Sequence, residues 1–237
     1  MAGHNKWYKI KRDKGVNDAK RGAVFTRIGN QIAIAARSGT DPDMNPALAM
    51  AIEKARQANM PKENIQRSID RVADKAAAAL EEITYEGYGP GGIGIIIETA
   101  TDNRNRTLPE VKTALVKNGG RIADAGSVMF QFARKGVIRV ATSGEDALLT
   151  ILDAGAEDAI EEDGEIVVYT DQKDLMSVRK LLLDAGLTIE DAELQYIANT
   201  PTVVSDQETV DKIEKVLDAL DDVDDVVNVH TNADIQL

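Results

Sequence analysis

Apolar positions between residues 17 and 75 recur at helical spacing. The first stripe repeats every three or four residues, at Val24, Ile28, Ile32 and Ala35. Asn45 is placed to cap a second helix with Pro46 in its first turn, and Pro61 opens a third helix. Three short amphipathic helices separated by prolines predict a small helical bundle at the N-terminus.

From residue 83 onward, runs of β-branched residues alternate with helical stretches. Strands are predicted for "ITYE" (83–86), "IGIIIETA" (93–100), "VMFQFA" (128–133), "GVIRVAT" (136–142), "GEIVVYT" (164–170), "TIEDAELQYIA" (188–198) and "DVVNVHT" (225–231). Helices are predicted for residues 107–118, 145–154, 173–185 and 206–221.

An internal repeat supports two related units in this second part of the chain. "VKTALVKNGGRIADA" at 111–125 and "VRKLLLDAGLTIEDA" at 178–192 align without gaps, so that Gly119 coincides with Gly186. "LLTILDAGAEDA" at 148–159 is a looser third copy. Each copy predicts an apolar helix face, a glycine after the helix, and then a strand.

The order of these elements predicts the fold class. Residues 136–198 follow the order strand, helix, strand, strand, helix, strand of a split βαβ plait. We therefore predict a multi-domain α and α+β protein, in which an N-terminal helical bundle (1–78) precedes two ferredoxin-like α+β domains. One domain is discontinuous, over residues 79–133 and 203–237, and the other, 134–202, is inserted into it.

Charge is distributed unevenly along the 237 residues, which hold 28 basic and 40 acidic side chains. Residues 1–75 carry 15 basic and 8 acidic side chains, and the remaining residues carry 13 and 32. Such asymmetry indicates a module that binds a polyanion, attached to a body that does not. The alternative is a solvated basic helix that merely complements the acidic body.

The amino-acid composition limits which cellular compartments and which kinds of site are possible. The absence of cysteine excludes disulfides, thiolate metal sites and cysteine nucleophiles. No apolar run approaches the roughly 20 residues of a membrane span, and no apolar signal-peptide core follows the basic start. We therefore expect a cytoplasmic protein that contacts no membrane.

Candidate motifs for catalysis are weak. The two histidines, His4 and His230, cannot build a catalytic triad or a zinc site locally. "GYGPGG" at 87–92 has the glycine spacing of a dinucleotide-binding loop, but it leads into a strand instead of a helix, which predicts a tight Gly-Pro hairpin. The sequence therefore predicts no enzyme, no cofactor and no metal site.

The basic opening is the stronger candidate for function. Its cations are placed to neutralise phosphates in a salt-sensitive and largely sequence-independent way, at Lys6, Lys9, Lys11, Arg12, Lys14, Lys20, Arg21 and Arg27. We call the basic opening, residues 5–22, the arm. Trp7 either anchors the arm to the bundle or stacks on an exposed base.

"TDNRNRT" at 101–107 is a second candidate, because it follows a strand and precedes a helix. Thr107 and Glu110 fit a capping box. Arg104 and Arg106 are not needed for capping, so they either hold a phosphate beside the helix N-terminus or pair with the acidic body.

Seven segments are distinctive in combination: "MAGHNKWYKIKRDK", "DAKRGAVFTR", "DPDMNPAL", "ANMPKENIQRSI", "YEGYGPGG", "TDNRNRT" and "GGRIADAGSVMFQFARKGVI". Together they resemble the YebC/PmpR family, to which the mitochondrial translational activator of cytochrome oxidase also belongs. The resemblance covers almost the whole chain in order. Gly29 departs from the family by standing mid-helix where a charged residue is common, at a cost of about 1 kcal/mol relative to Ala.

The resemblance implies three domains and a non-enzymatic role in gene expression. Family members are described as DNA-binding transcriptional regulators or as ribosome-associated translation factors that act at difficult sequences. The N-terminal basic segment is implicated in nucleic-acid contact, which implies that role for Lys6, Lys9, Lys11, Arg12, Lys14, Lys20 and Arg21.

A DNA-binding transcriptional regulator is the leading expectation. The alternatives are a factor bound to ribosomal RNA and a module that binds an acidic protein. The family motif begins at residue 2, so we expect no mitochondrial presequence.

Overall fold

The computed structural model describes residues 18–71, 80–162 and 164–237, which divide into two compact units. The larger unit comprises the residues up to Phe132 together with Ala198–Leu237, and the smaller unit is Ala133–Ile197. The chain is a mixed α/β protein with more than one unit and antiparallel sheets, which confirms the predicted class at that level. The boundaries of the three predicted domains stay a prediction.

Three helices near the N-terminus pack around one apolar core. They are α1 (Asp18–Ala36), α2 (Pro46–Gln57) and α3 (Lys62–Asp70). Their buried faces share one cluster that contains Ile28, Ile32, Leu48, Ile52, Ile65 and Ile69. Asn45 caps α2 as predicted, since its side chain accepts a hydrogen bond from the backbone N–H of Leu48 at 3.2 Å, and Pro46 opens the helix. The same amide donates to the carbonyls of Ala35 and Gly39, which fixes the α1–α2 turn.

Gly29 lies where α1 and α3 approach each other. A Cβ at this position would stand 3.0 Å from the Ser68 hydroxyl oxygen, which itself donates to the carbonyl of Asn64. The helical cost of glycine is therefore offset by close packing of α3 on α1.

The sheet of the larger unit has the strand order β3-β1-β2-β9. Its strands are β1 (Glu81–Tyr88), β2 (Gly94–Thr101), β3 (Arg121–Ala123) and β9 (Val226–Thr231). All of the pairings are antiparallel. Two helices, α4 (Arg104–Lys117) and α7 (Gln207–Asp221), pack on one another. Their apolar residues share a core with Ile93, Ile95 and Ile97, and α1 also contacts β2 and β9.

The "GYGPGG" segment forms the connection between β1 and β2, as the hairpin prediction stated. A short 3₁₀ turn (Pro90–Gly92) joins the two strands, with positive φ angles of 73° at Gly91 and 77° at Gly92. A side chain on Gly91 would also collide with the Thr209 methyl group, 2.9 Å from the Cβ position.

The smaller unit contains a second four-stranded sheet, with the order β5-β6-β4-β7. Its strands are β4 (Phe132–Val140), β5 (Asp158–Glu162), β6 (Glu165–Asp171) and β7 (Ile189–Ala198), and its helices are α5 (Glu145–Asp153) and α6 (Leu175–Asp184). Strand β6 pairs antiparallel with both β4 and β5. One apolar cluster on this sheet joins Val137, Val167, Tyr169 and Ile197.

The internal repeat corresponds to a shared helix ending. Gly119 after α4 and Gly186 after α6 have nearly equal φ angles of 85° and 82°. The following N–H bonds the carbonyl five residues earlier in both copies, Gly120 to Leu115 at 2.8 Å and Leu187 to Leu182 at 3.1 Å. The repeat is thus a helix stop followed by a strand.

Three details differ from the sequence prediction. Helix α4 begins at Arg104 with Asn103 as its N-cap, so the predicted Thr107–Glu110 capping box is wrong. "VMFQFA" is not a strand at its start, because residues Met129–Gln131 form a 3₁₀ turn and β4 begins at Phe132. The short strands β3, β5, β8 (Thr202–Val204) and β10 (Ala233–Ile235) lacked a clear alternating pattern, and β8 pairs parallel with β10.

Asn232 ties together the two chain segments that connect to Ala133–Ile197. Its amide donates to the Gln131 side chain at 2.7 Å and to the Thr200 carbonyl at 3.1 Å, while its oxygen accepts from the Gly94 N–H at 2.7 Å. The Gln131 carbonyl also accepts from the N–H of Asn199 at 2.7 Å. Because Asn232 is buried, every polar atom of its amide is satisfied inside the protein.

Replacing Asn232 by Ala is expected to lower the free energy of unfolding by about 2–4 kcal/mol, since the Gly94 N–H and the Gln131 amide lose their partner. Hydrogen exchange at Gly94 and Asn199 should also become faster. Denaturant unfolding with amide exchange measures both effects. Gln236→Ala, at an exposed residue, is the matched control, and equal stability of the two variants would contradict this role for Asn232.

Candidate nucleic-acid interface

The predicted arm lies mostly outside the described residues. Lys6, Lys9, Lys11, Arg12 and Lys14 belong to that part, so their role stays a prediction. Lys20 and Arg21 lie in the first turn of α1.

Arg27, also on α1, has an intramolecular partner. Its guanidinium donates to the backbone carbonyl of Asp221 and lies 3.6 Å from the Asp221 carboxylate. Asp221 is the last residue of α7, where a cation is favoured by the exposed carbonyls of the helix end. This contact joins α1 to α7, so an anion would have to compete with it for the Arg27 guanidinium.

The "TDNRNRT" segment caps α4. The Asn103 side chain accepts from the N–H groups of Asn105 and Arg106 at 3.1 and 3.3 Å, and the Asn103 carbonyl bonds the N–H of Thr107. The Thr101 hydroxyl accepts from the N–H of Asn103 at 2.9 Å. The polar residues of the segment thus build the turn between β2 and α4.

A buried carboxylate, Asp225, completes this turn from the far end of the chain. Its Oδ2 lies 3.0 Å from the Thr101 hydroxyl and 2.6 Å from the Thr107 hydroxyl. Arg106 Nη2 lies 2.9 and 2.8 Å from the two carboxylate oxygens, and 3.1 Å from Asp102. The hydrogen bond and the negative charge of Asp225 raise the pKa of the Arg106 guanidinium. Of the two alternatives for Arg106, the structure shows the ion pair.

Arg104 differs from its neighbour. Its side chain is 67% exposed, and its Nε lies 3.5 Å from a Glu81 carboxylate that is also exposed. A surface pair of this kind contributes about 0–1 kcal/mol, so its guanidinium can be drawn away by a stronger anion. Phosphate contact by Arg104 stays a prediction.

Three backbone N–H groups form a clamp around the Glu86 carboxylate on β1, which the sequence does not indicate. This buried carboxylate accepts from the N–H groups of Gly126, Val128 and Met129 at 2.5, 2.6 and 2.8 Å. Burial by itself raises the pKa of Glu86, but the three backbone donors outweigh it and the pKa is lowered overall. The clamp holds residues 124–131 against β1, and the partners lie some 40 residues away, beyond any local signal.

The exposed faces of α2 and α3 carry both signs of charge. On α3 the exposed side chains include Lys62 and Arg67 but also Glu63 and Asp70. Helices α2 and α3 therefore present no continuous cationic face of the kind a duplex-DNA recognition helix uses.

Other site types have no counterpart among the described residues. Across 18–71, 80–162 and 164–237, no three His, Cys, Asp or Glu side chains cluster in a way that would hold a metal ion. In the same ranges every helix falls short of the length and apolar character that crossing a membrane requires.

The chain is similar to known proteins over almost its whole length. Residues 5–75 match the family described as the TACO1/YebC protein N-terminal domain, and residues 80–233 match the TACO1/YebC second and third domain. A "probable transcriptional regulatory protein" of Herpetosiphon aurantiacus is 46% identical over 99% of this chain and 95% of its own. One of the same description from Lactobacillus acidophilus is 45% identical over 98% of each chain.

A solved structure is also similar. The crystal structure of a conserved hypothetical protein from Aquifex aeolicus superposes with a TM-score of 0.85 at 38% sequence identity, over 93% of both chains.

Arg106→Gln is expected to lower the free energy of unfolding by about 1–3 kcal/mol, because the buried Asp225 carboxylate loses its only described cationic partner. Arg104→Gln, two residues away, is the matched control and should change stability by less than about 0.5 kcal/mol. Urea unfolding of both variants measures the difference. Equal effects would show that the Arg106–Asp225 pair does not stabilise the turn.

Glu86→Gln is expected to lower the free energy of unfolding at pH 7 by about 1–3 kcal/mol, since a neutral amide replaces a carboxylate that accepts three N–H groups. The pKa of Glu86 is lower in the folded protein, so its contribution is present above the unfolded pKa and is lost as pH falls through the folded pKa.

The stability difference between wild type and Glu86→Gln should therefore shrink below about pH 4. Urea unfolding across pH, with hydrogen exchange at Val128, measures it. Glu82→Gln, at an exposed residue of the same strand, is the control. A difference that stays constant down to pH 3 would contradict the carboxylate clamp.

Proposed function

The chain belongs to the TACO1/YebC family, and we propose that it is a non-enzymatic regulator of gene expression that binds nucleic acid through its N-terminal helical module. The relatives' description as probable transcriptional regulatory proteins supports regulation at the family level. DNA is the first candidate target, which would make the protein a DNA-binding regulator of transcription. We further propose that the protein is cytoplasmic and contacts nucleic acid but no membrane.

The observation that carries the proposal is the separation of charge. Residues 1–75 have a net charge of +7, while the remaining residues have a net charge of −19. The acidic body repels phosphates, and two of the predicted cations, Arg27 and Arg106, already have carboxylate partners. The separation of charge therefore favours the N-terminal module as the main contact for a polyanion.

Ribosomal RNA is the second candidate target, and the mixed charge on α2 and α3 favours it. A folded RNA is bound through phosphates, riboses and unpaired bases, which does not require a recognition helix aligned in a major groove. In this form the protein assists translation at difficult sequences.

The architecture that we propose for the whole chain has three domains. The strand order β5-β6-β4-β7, with helices between β4 and β5 and between β6 and β7, supports a ferredoxin-like plait for the inserted domain. The shared core of α1, α2 and α3 supports a helical bundle as the first domain along the chain.

Reversing four arm charges tests the proposal. In the variant with Lys9, Lys11, Arg12 and Lys14 changed to Glu, co-sedimentation with ribosomes and binding to promoter DNA should both fall steeply. If all four side chains contact phosphates, the slope of log K against the logarithm of the salt concentration should also become shallower by about 3. Both assays are run across a salt series, each with the other nucleic acid as competitor.

The matched control changes Lys173, Lys180, Lys212 and Lys215 to Glu, which alters net charge equally but lies in the acidic body. This control should retain binding. Equal loss in both variants would mean that only overall charge matters, and full retention in the arm variant would contradict the proposal. Loss of one target alone identifies which nucleic acid the arm serves, and nuclease treatment distinguishes both from an acidic protein partner.

A further inference from the structure

Phe130 is an aromatic side chain that the larger unit leaves in water. It is 73% exposed, whereas every other aromatic side chain that the structure describes is buried or half-buried. Leaving a ring of this size exposed forgoes about 1.5–3 kcal/mol of burial free energy. An isolated exposed apolar residue needs no explanation by itself, so the surroundings of Phe130 decide its meaning.

The loop that carries Phe130 is fixed on both sides of the ring. Before it, Glu86 accepts the N–H of Met129 at 2.8 Å, and the Tyr88 hydroxyl donates to the Ser127 carbonyl at 2.9 Å. After it, the Gln131 carbonyl accepts from Asn199 and the Gln131 side chain from Asn232. The ring is therefore presented on a preorganised backbone, which reduces the entropy lost when a partner binds.

The chain segment that contains this loop differs in charge from the other α+β segments of the larger unit. Residues 111–132 contain three basic side chains, Lys112, Lys117 and Arg121, and one acidic side chain, Asp124. By contrast, residues 80–110 and 198–237 together contain four basic and sixteen acidic side chains. The three basic residues are exposed, so this segment of the chain presents positive charge between two acidic segments.

Arg121 links the cationic region to the loop. Its guanidinium carbon lies 4.8 Å from the centre of the Tyr88 ring, and the Tyr88 hydroxyl holds the loop at Ser127. An exposed aromatic ring and a positioned guanidinium thus belong to one hydrogen-bonded assembly of β1, β3 and the loop.

We propose that Phe130, with Arg121 beside its loop, is a stacking site for an unpaired nucleobase of RNA. The inference rests on the proposed function and adds a second contact to that of the arm. Aromatic stacking combined with nearby positive charge is how proteins bind single-stranded segments, and it tolerates any base. A duplex hides its base faces within the stack, so Phe130 contributes to loops and not to paired DNA.

An acidic or apolar protein surface fits this region less well. Hot spots for protein partners are ringed by further contacts that exclude water. The exposed residues earlier in the same loop, Asp124, Ala125 and Gly126, supply little apolar area. Positive charge at Lys112, Lys117 and Arg121 instead complements a phosphate backbone.

The test uses the full-length chain and an RNA stem-loop with nine unpaired nucleotides, one of them 2-aminopurine. A DNA duplex of similar length is the paired probe. Phe130→Ala should weaken stem-loop binding by about 5- to 150-fold, the range measured for loss of one stacked base. It should change duplex binding by less than about twofold, and it should leave the salt dependence unaltered because no charge is removed.

Three variants make the result specific. Phe130→Trp should retain binding and quench 2-aminopurine fluorescence, while Phe130→Leu, which is apolar but cannot stack, should lose binding as Phe130→Ala does. Met44→Ala removes another exposed side chain of the larger unit, 82% exposed and outside residues 111–132, and should bind like the wild type. Circular dichroism confirms that each variant is folded.

Stem-loop binding by Phe130→Ala at the wild-type level would overturn the stacking site, as would equal loss on the duplex or rescue by Phe130→Leu. Rescue by Phe130→Leu would mean that apolar contact, and not ring stacking, carries the interaction with the RNA. The arm variant is measured in parallel. Loss of binding in the arm variant alone rejects the stacking site and leaves the proposed function standing, whereas no binding of either probe by the wild type rejects both.

Discussion

The pairing of β2 with β9 is the constraint on which the larger unit depends. Strand β2 is buried over almost its whole length, and its second neighbour comes from residues about 130 positions later. The chain therefore runs through the Ala133–Ile197 unit before it supplies the fourth strand of this sheet. Such long-range pairing costs loop-closure entropy, which explains why the crossing segments are held by a fully satisfied buried amide at Asn232.

The polar groups buried near this sheet each have a partner distant in sequence. The Glu86 carboxylate accepts hydrogen bonds from backbone donors of residues 126–129, and Glu98 lies 3.0 Å from His230. Asp225, next to the start of β9, receives two threonine hydroxyls and Arg106. Because an unpaired buried charge is costly, these contacts specify one register for β9 as well as stabilise it. Asp225 thereby engages Arg106, and Asp221 at the end of α7 separately engages Arg27.

The sequence predicted features whose causes are local. The helix cap at Asn45, the Gly-Pro hairpin and the repeated helix stop at Gly119 and Gly186 each depend on a few adjacent residues. Features that depend on distant partners were missed. Alternation of Glu82, Thr84 and Glu86 is the pattern of a solvent-facing strand edge, yet Glu86 is buried because a loop some 40 residues later folds over it. The same loop makes "VMFQFA" begin as a 3₁₀ turn although its composition is that of a strand.

The candidate site shows the same division. Clusters of positive charge are visible in sequence, but which arginines have partners is decided by tertiary contacts, as the contrast between Arg104 and Arg106 shows. The arm and Phe130 also offer different physical contacts. Phosphate neutralisation is long-ranged, lowered by salt and indifferent to base pairing, whereas stacking is short-ranged, insensitive to salt and possible only with an unpaired base. Together, the two proposed contacts would discriminate between nucleic acids by structure instead of by sequence. Because promoter bases are read in the major groove, the stacking contact bears on the ribosomal RNA form of the proposal and the arm contact on both forms.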